Sequence, residues 1–296
     1  MVLGSLILSS SPLRWRSFLL AVFLGIVATY SFANGILYWD TSLLLILTAH
    51  LEGGKTKSRY VSPWLFISVV IICSYIYEYH KPPHHTSVWV FLEKPMEAAK
   101  YVCCYLGFPI VHFDIRFAFV AGVFGILIFV LSSILICKEW TDLSALSPYM
   151  ALGFYSIGTA LMTCIGRVGF GYGQSSAPRY VTISNLLWIS NIVFLTVFLL
   201  RLKRKHLFYQ RGQPIKRSLL AAVIAMVAFL AVTRSVFGIK GFRYWHDRLS
   251  PARSELFILK NEEVLERICS DVGVMKELVP VLKKYRLSVF RGDCGQ

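Results

Sequence analysis

The sequence predicts an all-α fold: a polytopic transmembrane helix bundle over residues 1–236, followed by a small helical extracytoplasmic tail over residues 237–296. Three observations carry that expectation. Of 296 residues, 56% are hydrophobic and only 16% are charged, at a mean hydropathy of +0.59, which is more apolar surface than one soluble core of this size hides. Apolar runs of 17 to 21 residues recur between short polar loops, the length a helix needs to cross ~30 Å of hydrocarbon at ~1.5 Å per residue. After Val236 such runs cease, and the last 60 residues hold 11 basic and 8 acidic side chains.

The N-terminal stretch Leu13 to Leu51 reads in two ways: one helix over Ser17 to Tyr38 with an interfacial piece, or two short helices folded at Asn34-Gly35. A signal peptide, with Arg14 and Arg16 before an apolar stretch and Ser31-Phe32-Ala33 as a loose cleavage site, is disfavoured because apolar character resumes at Ile36. Further spans are expected over Pro63 to Tyr79, Phe117 to Cys137, Ser147 to Ile165, Ile183 to Leu202 and Arg217 to Val236, each bounded by charges, Pro or Gly.

Charge decides the count. The net charge of +15 is read loop by loop as a topology signal, not as a nucleic-acid footprint. With seven spans and a cytoplasmic N-terminus, the inside segments carry 13 Lys and Arg in 44 residues and the outside loops 6 in 54. The block Arg201 to Arg217, seven basic residues and no acid, sets most of this asymmetry. Six spans, the alternative, would put Arg14 and Arg16 outside.

Between the third and fourth spans, Lys94 to Phe113 has mixed polarity and reads as a helix lying on the outer surface or dipping into it. In the tail, Asn261-Glu262-Glu263 reads as a helix start with acids in its first turn, and a second helix is expected from about Val274 to Tyr285, kinked or broken by Pro280. Seven cysteines make no disulfide framework. Cys73, Cys137 and Cys164 fall in spans, Cys103-Cys104 are adjacent, and Cys269 with Cys294 is the one external pair that could bridge.

The segment richest in potential chemistry runs from Gly166 to Tyr180. Glycines at 166, 169, 171 and 173 let backbone amides approach a ligand, and Arg167 and Arg179 supply forked donors suited to phosphate, with Gln174, Ser175, Ser176 and Tyr180 beside them. The expectation is a lipid-phosphate site at the outer face; the competing reading is a glycine-rich turn whose arginines meet lipid phosphates or loop carboxylates. Gly171-Tyr172-Gly173 mimics a potassium-filter triplet, but Gly-Phe precedes it and two arginines would repel cations. A dinucleotide loop fails because no strand precedes it.

A second cluster gathers Glu78, His80, His84 and His85 around Pro82-Pro83. The prolines forbid the regular helix that would set zinc geometry and no cysteine joins, so no metal and no other cofactor is expected, with His80, His84 and His85 the nearest candidates. Asp40, Glu78 and Asp114 are the carboxylates near the outer face that could serve as a base, or else pair with Arg167, Arg179 or Arg116.

The order of motifs, Ser31-Phe32-Ala33-Asn34-Gly35-Ile36-Leu37-Tyr38-Trp39, then Tyr79-His80-Lys81-Pro82-Pro83-His84-His85, then Gly166-Arg167 through Ser176-Ala177-Pro178-Arg179-Tyr180, resembles the C-terminal half of a group of bacterial polytopic membrane proteins. Leu278-Val279-Pro280 and Leu287-Ser288-Val289-Phe290 in the tail extend it. Those proteins in turn resemble GT-C type glycosyltransferases. The resemblance implies a bacterial inner-membrane protein of the cell envelope that handles a polyprenyl-phosphate sugar. It also implies an acidic residue in the first external loop, where this chain has only Asn34-Gly35 with Asp40 nearest. Two classes of function follow: a shortened protein of sugar transfer, or a non-catalytic component such as a transporter subunit or a partner-binding envelope protein. Expected partners are membrane lipids, a polyprenyl-phosphate sugar and a second membrane subunit, and not nucleic acid.

Overall fold

The structure is a computed structural model and describes residues 2–9, 13–51, 59–77, 87, 89–111, 114–139, 143–204, 238–244, 246–247, 249–251, 256, 258–266, 268 and 271–285. It is helical, with no strand among the described residues. The chain divides into two compact units, Met1–Arg211 and Gly212–Gln296.

In the first unit, α1 spans Val2–Ser9, α2 Trp15–Ser31, α3 Leu37–Leu51, α4 Val61–Tyr77, α5 Pro95–Gly107, α6 Ile115–Glu139, α7 Leu143–Arg167 and α8 Val181–Arg204. Three stretches are long and apolar enough to cross a membrane: Ile115–Lys138, Ala145–Phe170 and Pro178–Phe198. Trp15–Ser31 and Val61–Tyr77 are shorter apolar helices. The expected span over Arg217 to Val236 lies outside the described residues.

The N-terminal stretch forms two helices, as the second of its two readings has it. Phe32 leaves α2 in an extended conformation, and Ala33–Ile36 make a 3-10 turn into α3. Gly35 is required at that turn because a Cβ there would run into the backbone of Ala28. The hairpin is fastened by side chains: Tyr38 donates to the Ala21 carbonyl at 3.0 Å, and the Trp39 indole donates to Thr29 Oγ1 at 2.9 Å. Trp64 of α4 then donates to the Trp39 carbonyl at 3.0 Å. The helix α1, which was not expected, completes this half, with Gly4 seated against the Tyr38 ring.

The second half joins α5, α6 and α8 to α7, the most enclosed of the three membrane-length helices. On α6 the buried positions are Ala118, Gly122, Gly125, Phe129, Ser133 and Ile136, a stripe at steps of three or four with four small members. The opposite row, including Phe117, Phe124, Leu127 and Leu131, is exposed. Small residues let backbones touch: a Cβ at Gly107 would strike Ala118 of α6, and one at Gly122 would strike the Cys103 carbonyl of α5. Polar side chains complete the fastening. Asn191 donates to the Gly125 carbonyl at 2.9 Å, Ser190 to Tyr149 at 2.7 Å and Ser156 to Ile183 at 3.0 Å.

In the second unit, α9 spans Glu262–Leu265 and α10 Val272–Lys284. Each has a side-chain cap: Asn261 accepts from the Val264 N–H at 3.3 Å and Asp271 from the Val274 N–H at 3.1 Å. Lys276 pairs with Glu262 between them, and Leu265, Met275 and Val279 form a small core. Of the kink or break expected at Pro280, the break does not occur, for α10 continues through it to Lys284. The missing N–H removes one bond to the preceding turn, and the apolar face that places Met275 and Val279 in the core holds the helix across the gap.

Candidate functional site

The loop between α7 and α8 is ordered by short-range bonds. Arg167 ends α7 half-buried; Val168–Phe170, Tyr172–Ser176 and Pro178–Tyr180 are successive 3-10 turns. Gly171 separates the first two at φ +89°, a backbone region where a side chain would be strained. The turns close through Gly171 N–H to Val168 at 2.9 Å and Tyr180 N–H to Ala177 at 3.0 Å. Ser175 and Ser176 donate to the carbonyls of Tyr172 and Gly173, each at 2.7 Å, so their protons are committed to the loop. A Cβ at Gly166, Gly171 or Gly173 would meet nothing within 4 Å, leaving open space over the loop.

Beneath the loop lies α5. It runs as a helix across the region expected to be a surface or dipping segment, and Tyr101, Val102, Cys104, Tyr105 and Leu106 are buried on its inner side. Tyr180 is buried and stacks on Tyr105 with ring centroids 4.9 Å apart. Its hydroxyl also lies near that of Tyr101, which in turn feels Arg167. Thr163 and Tyr155 of α7 adjoin Tyr105. Burial raises the phenol of Tyr101 far above its ordinary value, Tyr180 adding to the shift and Arg167 opposing it; burial likewise raises Tyr105. Burial also pushes the Cys104 thiol up to about 11, so it stays protonated.

Arg167, Ser175 and Tyr180 are drawn toward the α5 face, whereas Gln174 and Arg179 are exposed. Arg179 lies over the ring of Tyr180, 5.1 Å from its centroid. No carboxylate joins either Arg167 or Arg179 among the described residues. Asp114 instead pairs with Arg116 at 2.9 Å and accepts its backbone N–H at 2.8 Å, capping α6. Asp40 is exposed in the first turn of α3. Glu78, His80, His84 and His85 lie outside the described residues, as do Cys269 and Cys294; among the described residues no three His, Cys, Asp or Glu side chains gather as metal ligands. The five described cysteines in the first unit are free thiols.

Sequence reasoning missed Tyr101 and Tyr105. Their signal was the four-residue spacing on a helix of mixed polarity, which sets both phenols on one face, but nothing in the sequence joins that face to residue 180. Comparisons with known protein families, with curated proteins and with solved structures find no match to this chain.

Proposed function

We propose that this chain is an integral protein of a bacterial inner membrane that holds the phosphate of a lipid-linked sugar at the loop between α7 and α8. The observation that carries the reading is a pair of arginines, Arg167 and Arg179, with no carboxylate partner among the described residues, flanking a loop with open space over its glycines, at the joined ends of two membrane-length helices. At the end of a membrane-length helix a guanidinium meets the headgroup layer, where a lipid phosphate is the anion at hand. Seven spans with an inside N-terminus and an outside tail give the arrangement in which this loop faces outward, supported by the 13 to 6 division of basic residues. With Asp114 engaged by Arg116, the role this reading assigns to the loop is binding and presentation of the lipid.

The test is binding of purified protein to vesicles with and without a polyprenyl phosphate. Arg179→Lys is expected to weaken binding with the fold intact, since lysine lacks the planar fork, and Arg179→Ala to weaken it further, by ~1.5 to 3 kcal/mol. Unchanged binding with a collapsed folded yield would make the arginine structural and sink the reading. Cysteine labelling from outside at Gln210 would overturn the orientation.

A further inference from the structure

Among the described residues of α5–α8 and their loop, six buried polar side-chain atoms have no hydrogen-bond partner: Ser133 Oγ and Asn191 Oδ1 on α6 and α8, and four nearer the loop, the hydroxyls of Tyr101, Tyr105, Tyr180 and Thr159. Tyr101 and Tyr105 are 0% exposed and Tyr180 6%. Native interiors rarely leave even one such group orphaned, because a hydroxyl stripped of water keeps its desolvation cost until an acceptor or donor arrives. Three of these four are phenols set about one another by the Tyr105–Tyr180 stack and the Tyr101–Tyr180 approach, with Arg167 beside them.

We infer that Tyr101, Tyr105 and Tyr180, together with Arg167, form a buried seat for a phosphate group beneath the glycine-rich loop. The inference rests on the lipid-phosphate reading and deepens it by moving the anion inward, from exposed Arg179 to the phenols. The chemistry of the donor set selects the ligand class. Three O–H groups and a guanidinium offer donors only in this role, and a phosphate ester presents terminal oxygens that only accept. A tetrahedral group with several oxygens can answer donors arriving from α5, α7 and the residue before α8, which a planar carboxylate with two oxygens does less completely. The roof is suited to admit it. The turn Tyr172–Ser176 rests on α5 through Ser175, which lies against Cys104, and glycines at 171 and 173 face open space, so the loop can lift without a clash. Arg179 over the Tyr180 ring then holds one wall of the seat from outside.

The experiment uses the full chain in lipid nanodiscs, with a short-chain prenyl phosphate and inorganic phosphate as separate probes. Tyr101→Phe, Tyr105→Phe and Tyr180→Phe are each expected to weaken prenyl phosphate binding about tenfold. The ligand-free melting temperature should stay level or rise, because each change deletes an orphaned hydroxyl and keeps the ring. That combination is the signature: a merely structural hydroxyl would lower stability, and an irrelevant one would leave binding alone. Parallel loss for inorganic phosphate supports a seat that reads the phosphate itself; loss confined to the prenyl ester supports a lipid headgroup as its source. If all three Phe variants bind as the wild type does while Arg179→Lys weakens binding, the seat is refuted and the outer-face reading stands. A wild-type protein that binds neither probe refutes both. Should one Phe variant fail to fold, the other two carry the test.

Discussion

Trp188 donates its indole N–H to the main-chain carbonyl of Leu106 across 2.8 Å, tying α8 to the last turn of α5. Carbonyls in that turn have no helical donor left, so the bond answers a group that would otherwise be orphaned away from water. The same indole covers Gly125 of α6, where a Cβ would sit 2.9 Å from the ring. One side chain thus fixes three helices around the floor of the site.

Trp188→Phe keeps an aromatic ring and removes the N–H. The expected loss is about 1 to 3 kcal/mol, the cost of leaving one buried carbonyl unanswered, read as a lower melting temperature in detergent. A melting temperature equal to that of the wild type would show that Leu106 finds another donor.

The glycines divide into two kinds, and substitution should separate them. Gly107→Ala and Gly122→Ala force a methyl into backbone of the opposing helix, which cannot yield as a side chain tip can; both are expected to abolish monodisperse folded protein. Gly166→Ala and Gly173→Ala meet open space and should fold at wild-type yield. Size-exclusion profiles compare the four, and a normal profile for Gly122→Ala would refute the close crossing of α5 and α6.

The outward row of α6 is the place to test the surrounding solvent. Leu131 is 60% exposed and Leu127 51%, so in water an arginine at either position would be harmless. In hydrocarbon it costs about 2.5 to 3.5 kcal/mol near mid-span. Leu127→Arg and Leu131→Arg are therefore expected to reduce membrane integration of this helix in a glycosylation-mapping assay, whereas Leu127→Phe should not. Equal integration of all three would argue that another protein, not lipid, covers this face.

Asp114 supplies a pH dependence with a definite sign. The Arg116 side chain and N–H hold its carboxyl below the ordinary 3.8. A carboxyl depressed in the folded state stabilises above its unfolded value, and that stabilisation is lost as pH falls through the folded one. The wild-type melting temperature should thus fall more steeply below about pH 4 than that of Asp114→Asn, which keeps the cap but not the titration. Superimposable acid limbs would show that the pair contributes nothing.

The helices were legible in the sequence wherever an apolar run was long, as at α6, α7 and α8, because length and hydropathy decide such a segment locally. The hairpin at Asn34-Gly35 could be read only as one of two options, since the close approach of Gly35 to Ala28 is a contact the sequence does not display. Short α1 carried no charge boundary and was overlooked; its place depends on Gly4 fitting against Tyr38. For the site, the glycine spacing marked the loop, but the phenols beneath it come from α5, more than 70 residues before Tyr180. Pro280 shows the converse, for the helix is not broken there where Met275 and Val279 are buried.

The close glycine crossing of α5 and α6 also orders events during synthesis. At 13 residues α5 extends only ~20 Å, too short to traverse the bilayer, and its mixed polarity gives a translocation channel little reason to release it sideways. It emerges from the ribosome ahead of α6, so it has no partner until the following segment has emerged and offers the groove along Ala118 and Gly122. Docking of α5 consequently follows the arrival of α6, and a change in α6 that delays its insertion delays the seating of α5 with it.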